Sequence, residues 1–455
     1  MLEEKLVLNS GESSSLQLDD GSHVGVIGGG PAGSFFSYFL LDMSERLGID
    51  VQVDIYEPRD FSIPAPGGCN MCGGIISESL VQILAADGIN LPPSVVQRGI
   101  DSYVLHMDVG SVHIETPLRE KRIAAVHRGV GPRGIKEIKW GSFDGYLQGL
   151  AVEKGARVLK ERVSSIDWED GRPRVNTRSG SPQAYDLIVG ALGVNTNALK
   201  LFEGLEFGYK PPQATRTYIC ELPLGYETVQ QCLGNAMHVF LLDLPRLKFA
   251  ALIPKGDFVT VCMLGEDIDN TLVQTFLDSP EVRECLPPEW PIPQGLCHCS
   301  PRMYINGAVR PFSDRVVLIG DSGVSRLYKD GIGAAYRTAK AAATTAVFQG
   351  ISAEDFRQHY WPICRSLAND NTVGKVVFGV THLIQKVRFA RHAVLGMVSS
   401  EQQEEGGSQR LSTVLWDTFT GSAPYQDVFL RTLHPAFLSR LLWNLAISIW
   451  PFNRT

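Results

Sequence analysis

The chain has 455 residues, with 42 Lys and Arg against 49 Asp and Glu, a net charge of −7. At roughly 150 residues per unit this length implies about three structural units, large enough to bury their cores without disulfides. The acidic balance excludes nucleic acid as the main partner, because phosphate binding relies on clustered Lys and Arg. The nine cysteines are scattered, and no secretory signal is read ahead of them, so a reduced, cytoplasmic protein is expected.

In chain order, residues 1–20 end in a polar stretch that reads as a flexible tail. His23 to Gly28 (HVGVIG) is a short apolar run opening directly into glycines, as a buried parallel strand does. The residues after Gly33 are apolar at helical spacing up to Gly48, and Val51 to Glu57 reads as a second strand. Strand, glycine turn, helix and strand make a βαβ unit. Residues 58–76 are a long irregular stretch dense in Pro and Gly, of the kind usually functional or disordered. Strands are expected over about 100–126, a helix from Phe143 to Lys154, and a second sheet within 215–300. The runs YDLIVGALG and RVVLIGD end in glycine, like parallel strands whose C-terminal ends face a ligand. After Gly331 the pattern is helical to the end.

Gly28-Gly29-Gly30-Pro31-Ala32-Gly33 matches G-x-G-x-x-G between a strand and a helix. Gly28 permits the tight turn, Gly30 lets backbone approach a pyrophosphate, and Gly33 allows helix and strand to pack closely. The helix N-terminus supplies partial positive charge for the phosphates. Glu57 ends the second strand, where a carboxylate can accept ribose hydroxyls. A Gly-rich turn in any α/β protein is the plain alternative, but the full strand–helix–acid context favours a dinucleotide site.

A second constellation is Val316 to Gly333, VVLIGDSGVSRLYKDGIG. A strand ending in Gly320-Asp321 places a carboxylate beside a phosphate or ribitol hydroxyl, and Gly331-Ile332-Gly333 can start a helix against a ring system. Together with the N-terminal G-x-G-x-x-G and a central F-D-x-x-L (Phe143, Asp144, Leu147), this resembles FAD enzymes of the p-hydroxybenzoate hydroxylase fold. Within that group the chain resembles the geranylgeranyl reductase family over about residues 22–350. Cys72-Gly73-Gly74 is similar to that family's C-G-G segment beside the flavin ring, and Ile253-Pro254-Lys255-Gly256-Asp257 to the end of its substrate-cavity motif. The resemblance implies that Gly28, Gly29, Gly30, Pro31, Ala32, Gly33 and Glu57 hold the ADP half of FAD, and that Asp321 contacts the ribityl-pyrophosphate. It places Gly73, Gly74, Gly331, Ile332 and Gly333 near the isoalloxazine, Cys72 as the catalytic residue, and Phe249, Ala251, Ile253 and Pro254 on the substrate. Phe249 and Ala251 stand where the family motif has Tyr and Trp, and Trp140 where this fold often has Arg. The loop before Gly331 lacks the usual Pro and carries Arg326 and Lys329.

The implied fold class is α/β. A discontinuous Rossmann-like FAD-binding domain (21–100, 121–200 and 301–350) holds an inserted antiparallel-sheet substrate domain (101–120 and 201–300). A C-terminal helical region spans 351–455. The implied activity is reduction of carbon–carbon double bonds of an isoprenoid lipid, quinone or pigment precursor by hydride from reduced flavin. An FAD monooxygenase or halogenase acting on an aromatic or lipid is the alternative, and a flavin-binding electron carrier or sensor is a third reading. Only one dinucleotide fingerprint is present, so NAD(P)H would bind transiently as donor, and a ferredoxin-type donor is equally open.

Cys69-x-x-Cys72 admits three readings: a redox pair, plain loop residues, or half of a metal site completed by Cys297-His298-Cys299. The last spacing is not that of a standard finger, and no metal is expected. Arg326 and Lys329 read as solvated loop charges, with attraction of an anionic headgroup or reductant as the alternative. His238 and His298 show no partner, and Tyr336 and Trp140 read as packing residues. No apolar run reaches the roughly 18 residues of a membrane span. The stretch FLRTLHPAFLSRLLWNLAISIWPFNR joins short apolar runs to Trp and Arg, which suits a bilayer interface as well as a core helix on the FAD domain. A protein soluble or peripheral to the membrane is expected, its substrate a hydrophobic small molecule or lipid.

Overall fold

A computed structural model describes residues 16–68, 72–116, 123–293, 295–404 and 408–449. Its first layer is a six-stranded sheet in the order Phe312–Ser313, Val316–Leu318, Leu187–Gly190, Ser22–Ile27, Val51–Tyr56, Arg157–Leu159. All neighbours are parallel except the Phe312–Ser313 edge. These strands are short β-branched runs buried on both faces, as a covered parallel sheet requires. Val24, Val26, Val53, Ile55, Leu187 and Val189 face a core shared with the helices Pro31–Leu47, Phe143–Glu153 and Gly331–Phe348. The alternate residues Ile27, Tyr56, Ile188 and Leu318 face a three-stranded antiparallel sheet, residues 163–184, through Val163, Ile166 and Val175.

The second large sheet contains Ser102–Met107, Gly110–Glu115, Gln213–Pro223, Ala236–Phe240, Leu247–Lys255 and Phe258–Gly265, with His298–Cys299 at its edge. It is antiparallel apart from the parallel pair Ser102–Met107 and Ala236–Phe240. One face presents Tyr103, Leu105, Met237, Val239, Ala251 and Ile253 to the C-terminal helices. The other presents Phe240, Leu252, Val259 and Val261 to the helix Asn270–Leu277. Arg302–Asn306 pairs with the start of Gln213–Pro223, so this sheet extends to 306 rather than ending at 300.

Five helices, Trp361–Lys386, Arg388–Gln403, Arg410–Thr420, Tyr425–Thr432 and Pro435–Ile449, complete the fold. Trp416 is buried against Tyr103, and its indole N–H donates to Glu78 at 3.0 Å. The expected tail is corrected at its inner end: Leu18 lies in the core, and the Leu16 carbonyl accepts the Ile351 N–H. Residues 1–15 lie outside the described residues. The expected packing on the domain of the first sheet is corrected: the last helix packs on Arg388–Gln403, with Phe437 and Leu441 in the core shared with the second sheet.

Candidate cofactor and substrate site

The first strand hands over to its helix at Gly28, whose φ of 109° is left-handed and whose added Cβ would stand 2.5 Å from the Ala191 carbonyl. At Gly33 a Cβ would meet the Gly28 carbonyl at 1.9 Å, so only glycine lets this helix seat on its strand. The Gly29 N–H donates to Glu57 Oε2 at 3.1 Å, and Arg59 Nε donates to Glu57 Oε1 at 3.0 Å. The helix starts with Pro31 and has no acidic residue in its first turn, which leaves its positive end uncompensated.

This turn opens onto a cavity of about 890 Å³ lined by Gly28, Gly30, Pro31, Ala32 and Glu57 at one end. Asp321, in the turn Gly320–Ser322, lines it further on. Burial pushes the Asp321 carboxyl up, against opposing effects of Ser325 and Arg128. Ser322 Oγ donates to the Gly190 carbonyl at 2.8 Å and ties that turn to the sheet.

Arg128 lines the same cavity, and it is one of the residues that sequence reasoning missed. It holds Asp144 with two hydrogen bonds, Nε to Oδ1 at 2.9 Å and Nη2 to Oδ2 at 2.8 Å. Burial opposes the guanidinium's charge, but Asp144 outweighs this and raises its pKa. An added Cβ on Gly30 would lie 3.4 Å from Arg128 Nη2, so the cation sits beside the glycine turn. The expected arginine three residues before Phe143 is thus supplied from elsewhere, while Trp140 packs against Gly256. The signal in the sequence was Asp144, a carboxylate at a buried helix start that needs a cation.

Cys72, Gly73 and Gly74 line the middle of the cavity. Cys72 Sγ accepts the Gly74 N–H at 3.1 Å, and the Cys72 carbonyl accepts from Lys255 Nζ at 3.2 Å. Lys255 is fully buried beside a further polar group, Glu221, which accepts from Thr260 Oγ1 at 2.8 Å. Burial pushes the Glu221 carboxyl up and Lys255 partly offsets it, while burial and Lys255 both push His127 down. This polar layer braces the C-G-G segment from behind.

Phe249, Ala251 and Ile253 line the far end, together with Met237, Ile219 and Leu264. Pro254 does not line it, because alternate residues of a strand face opposite ways and Pro254 is one step out of phase. Gly29, Gly33 and Gly333 likewise lie off the cavity. Gly333 is a packing position: a Cβ there would meet Asp330 Oδ1 at 2.2 Å. Gly331 and Ile332 do line the cavity. The aromatic wall altered in the sequence is rebuilt by the C-terminal helices. Phe249 stacks on Phe378 at 6.0 Å and meets Phe419 edge-on at 5.8 Å, and Tyr328 and Phe419 line the cavity.

The solvated reading of Arg326 and Lys329 is overturned. Arg326 is 2% exposed, and donates to Asp330 at 2.8 Å and to the carbonyls of Gly421 and Ala423 at 3.0 and 2.8 Å. Lys329 lies 4.9 Å over the Tyr425 ring and donates to the Asp417 carbonyl at 3.0 Å, with burial and Arg326 pushing its pKa well down. His238 has partners after all, His106 and Cys285. Tyr336 is a packing residue, edge-on to Phe35 and Phe39, as expected. Cys69 lies outside the described residues. Cys297, His298 and Cys299 do not gather with Cys72 into a metal-ligand cluster among the described residues.

No protein-family profile and no curated protein sequence matches this chain. Solved structures do. A geranylgeranyl bacteriochlorophyll reductase-like protein from Thermoplasma acidophilum aligns with TM-score 0.61 and 14% identity over 94% of this chain and 100% of its own. The halogenase PltM, in complex with phloroglucinol and FAD, aligns with TM-score 0.58 and 13% identity over 94% and 91%. A p-nitrophenol 4-monooxygenase from Pseudomonas putida aligns with TM-score 0.57 and 12% identity over 89% and 99%. The chain has the fold of an FAD-dependent oxidoreductase. In this oxidoreductase fold the glycine turn, Glu57 and Asp321 open on one cavity, and the second sheet closes its apolar end.

Proposed function

We propose that this protein is an FAD-dependent enzyme that reduces carbon–carbon double bonds of an isoprenoid lipid, quinone or pigment precursor. The observation that carries the reading is the continuity of one cavity, from the glycine turn past Cys72 to an apolar wall of Phe249, Ala251, Ile253 and Phe419. FAD fits the residues present: Gly33 and Gly28 shape a turn no side chain could enter, and Arg128 and the helix N-terminus bring positive charge to its mouth. A cavity of about 890 Å³ lies toward the upper end of ligand sites, typically about 300–1,000 Å³, as a large cofactor requires.

Glu57 would accept the ribose hydroxyls, Arg128 would face the pyrophosphate, and Asp321 the ribityl chain. Bound and reduced, FAD supplies hydride to one alkene carbon. The chain's own part is to hold the alkene in a dry apolar cleft and to deliver a proton to the other carbon. Cys72 would supply that proton: it lines the cavity, and its sulfur accepts the Gly74 N–H, so its S–H would be available to donate. NAD(P)H or a ferredoxin-type protein would act as transient donor.

An insoluble substrate calls for a membrane surface, and the last helix offers one. Leu438, Leu442, Trp443 and Ile449 are exposed, Leu442 and Trp443 by 66% and 68%, with Arg440 on the same helix. No helix among the described residues is long and apolar enough to cross a membrane. An apolar helix face with Trp and Arg suits the headgroup level, so the proposed occupant is a bilayer interface. Arg454 and Trp450 lie outside the described residues.

The deciding experiment is anaerobic. The flavin is reduced chemically, a prenyl-lipid extract is added, and flavin absorbance and lipid mass are followed. Reoxidation without oxygen, with two hydrogens gained by the lipid per turnover, is expected. A flavin that stays reduced until air is admitted, and then hydroxylates or halogenates a substrate, overturns the reading in favour of a monooxygenase or halogenase.

A further inference from the structure

On the face of the second sheet turned away from the cavity, three ligand-type side chains converge. His106 and His238 lie on the parallel strands Ser102–Met107 and Ala236–Phe240, in the register Val104–His238 and His106–Phe240, which brings both rings to one face. Cys285 follows the turn Pro280–Arg283 that covers this face. His106 Nε2 and His238 Nδ1 are 2.9 Å apart, and Cys285 Sγ is 3.2 Å from His238 Nδ1 and 3.6 Å from His106 Nε2. All three residues are more than nine-tenths buried, at 7%, 7% and 4% exposure.

We propose that His106, His238 and Cys285 bind a d10 metal ion, Zn2+ or Cu+, which fastens the Asn270–Leu286 segment to the sheet. Imidazole and thiolate are the ligands these borderline-to-soft ions select. Metal–N lengths of about 2.0–2.1 Å and a metal–S length of about 2.3 Å allow N···N up to about 4.1 Å and N···S up to about 4.4 Å. The observed triangle lies inside both limits, so its spacing admits one ion in contact with all three atoms. Hydrogen bonds use the triangle less completely. A single ring N–H between the two histidines joins only one pair, and the Cys285 thiol then turns to the Glu281 carbonyl at 3.3 Å.

Neither ring faces solvent, and each turns a nitrogen toward the other two ligand atoms. The His238 ring is further held by a backbone hydrogen bond to Leu233, the kind of outer contact that orients a metal-bound imidazole. His106 stacks on Phe240 at 4.6 Å, which fixes the other ring. Binding breaks the Cys285 S–H bond, sends that proton to solvent, and forms one metal–S and two metal–N bonds, with no electron exchanged. The adjacent residues Met237 and Val239 face the opposite way, and Met237 lines the cavity, so the ion is structural rather than part of the redox chemistry.

The test uses the full-length protein. It is exposed to Zn2+ and, separately, to Cu+ under reducing conditions, desalted, and assayed by elemental analysis, with Co2+ uptake followed by absorbance. About one equivalent of zinc or of copper per chain is expected, and which one is retained identifies the ion. The Cys285→Ser protein should lose the ion and the thiolate-to-cobalt band, should melt at lower temperature, and should keep its flavin content. Neither metal retained by the wild-type chain, or the same amount retained by Cys285→Ser, overturns the proposal and leaves a hydrogen-bonded triad. If Cys285→Ser does not fold, His106→Asn serves in its place, and retention of the ion by that variant overturns the proposal.

Discussion

Asp54 shows how one buried carboxylate joins three strands. It accepts from Tyr185 at 2.9 Å and from Arg157 at 2.7 and 2.9 Å, and lies 2.9 Å from His23 Nε2. Burial alone would raise its pKa, but the His23, Arg157 and Tyr185 hydrogen bonds outweigh burial and hold it well below the usual carboxylate range. The sign follows from where protons bind. The unfolded chain protonates Asp54 near about pH 4 and the folded chain only at much lower pH, so its stabilisation is complete above about pH 4 and is lost as pH falls from there toward the folded value. Asp54→Asn should lower stability at pH 7 by about 1–3 kcal/mol. Between pH 5 and 3 the wild-type protein should lose more stability than the variant, by up to about 1.4 kcal/mol per pH unit. Urea titrations of both proteins at these pH values check it, and parallel slopes would contradict it. At this scale the sequence was informative where chemistry is local. The glycine turn and Glu57 were legible from motif and spacing, and Cys72, which lines the cavity, came from the family resemblance. Arg128, Tyr328 and Phe419 were not, because each reaches the cavity through a tertiary contact that no spacing encodes. Arg326 was misread for the same reason: its partners, Gly421 and Ala423, are nearly a hundred residues away.

The elements were legible wherever their periodicity was strong. The helix Pro31–Leu47, its αL cap at Gly48 and the strand Val51–Tyr56 match the sequence pattern closely, since local capping and burial agree there. The sheet boundary at 306 was missed because Arg302–Asn306 is only five residues long, and its place in the sheet is set by pairing with the distant Gln213–Arg216. The last helix buries one face of its apolar stretch and leaves the other open. Phe437 is buried, whereas Leu442 and Trp443 are exposed. Leu442→Glu with Trp443→Glu should therefore abolish co-sedimentation with anionic vesicles while leaving the melting temperature within about a degree or two, since surface changes of this kind cost little. A variant that loses its fold, or one that still sediments with vesicles, would show that this face does something else.

Across the whole molecule, the cavity is finished by residues from both ends of the chain. The loop before Gly331 carries Tyr328 and Lys329 into the cavity, and Arg326 anchors that loop to the helices that supply Phe378 and Phe419. Its guanidinium contacts Asp330 at 2.8 Å and Asp370 at 3.6 Å, and lies 5.0 Å over the Tyr425 ring. Removing one member of such a buried network leaves the carboxylates without their cation, a change that costs about 3–5 kcal/mol. Arg326→Met should therefore lower the unfolding free energy by that order and loosen the C-terminal helices and the Gly331 end of the cavity together. Hydrogen exchange would show this as coordinated deprotection of Gly331–Phe348 and Arg410–Thr420, with weaker retention of the proposed flavin in the same protein. Adding Asp330→Asn should recover part of the loss, because it removes a charge the first substitution left unpaired. Deprotection confined to one of the two helices, or a double variant no more stable than Arg326→Met, would mean that the Gly331 end of the cavity and the helical region hold their shapes independently.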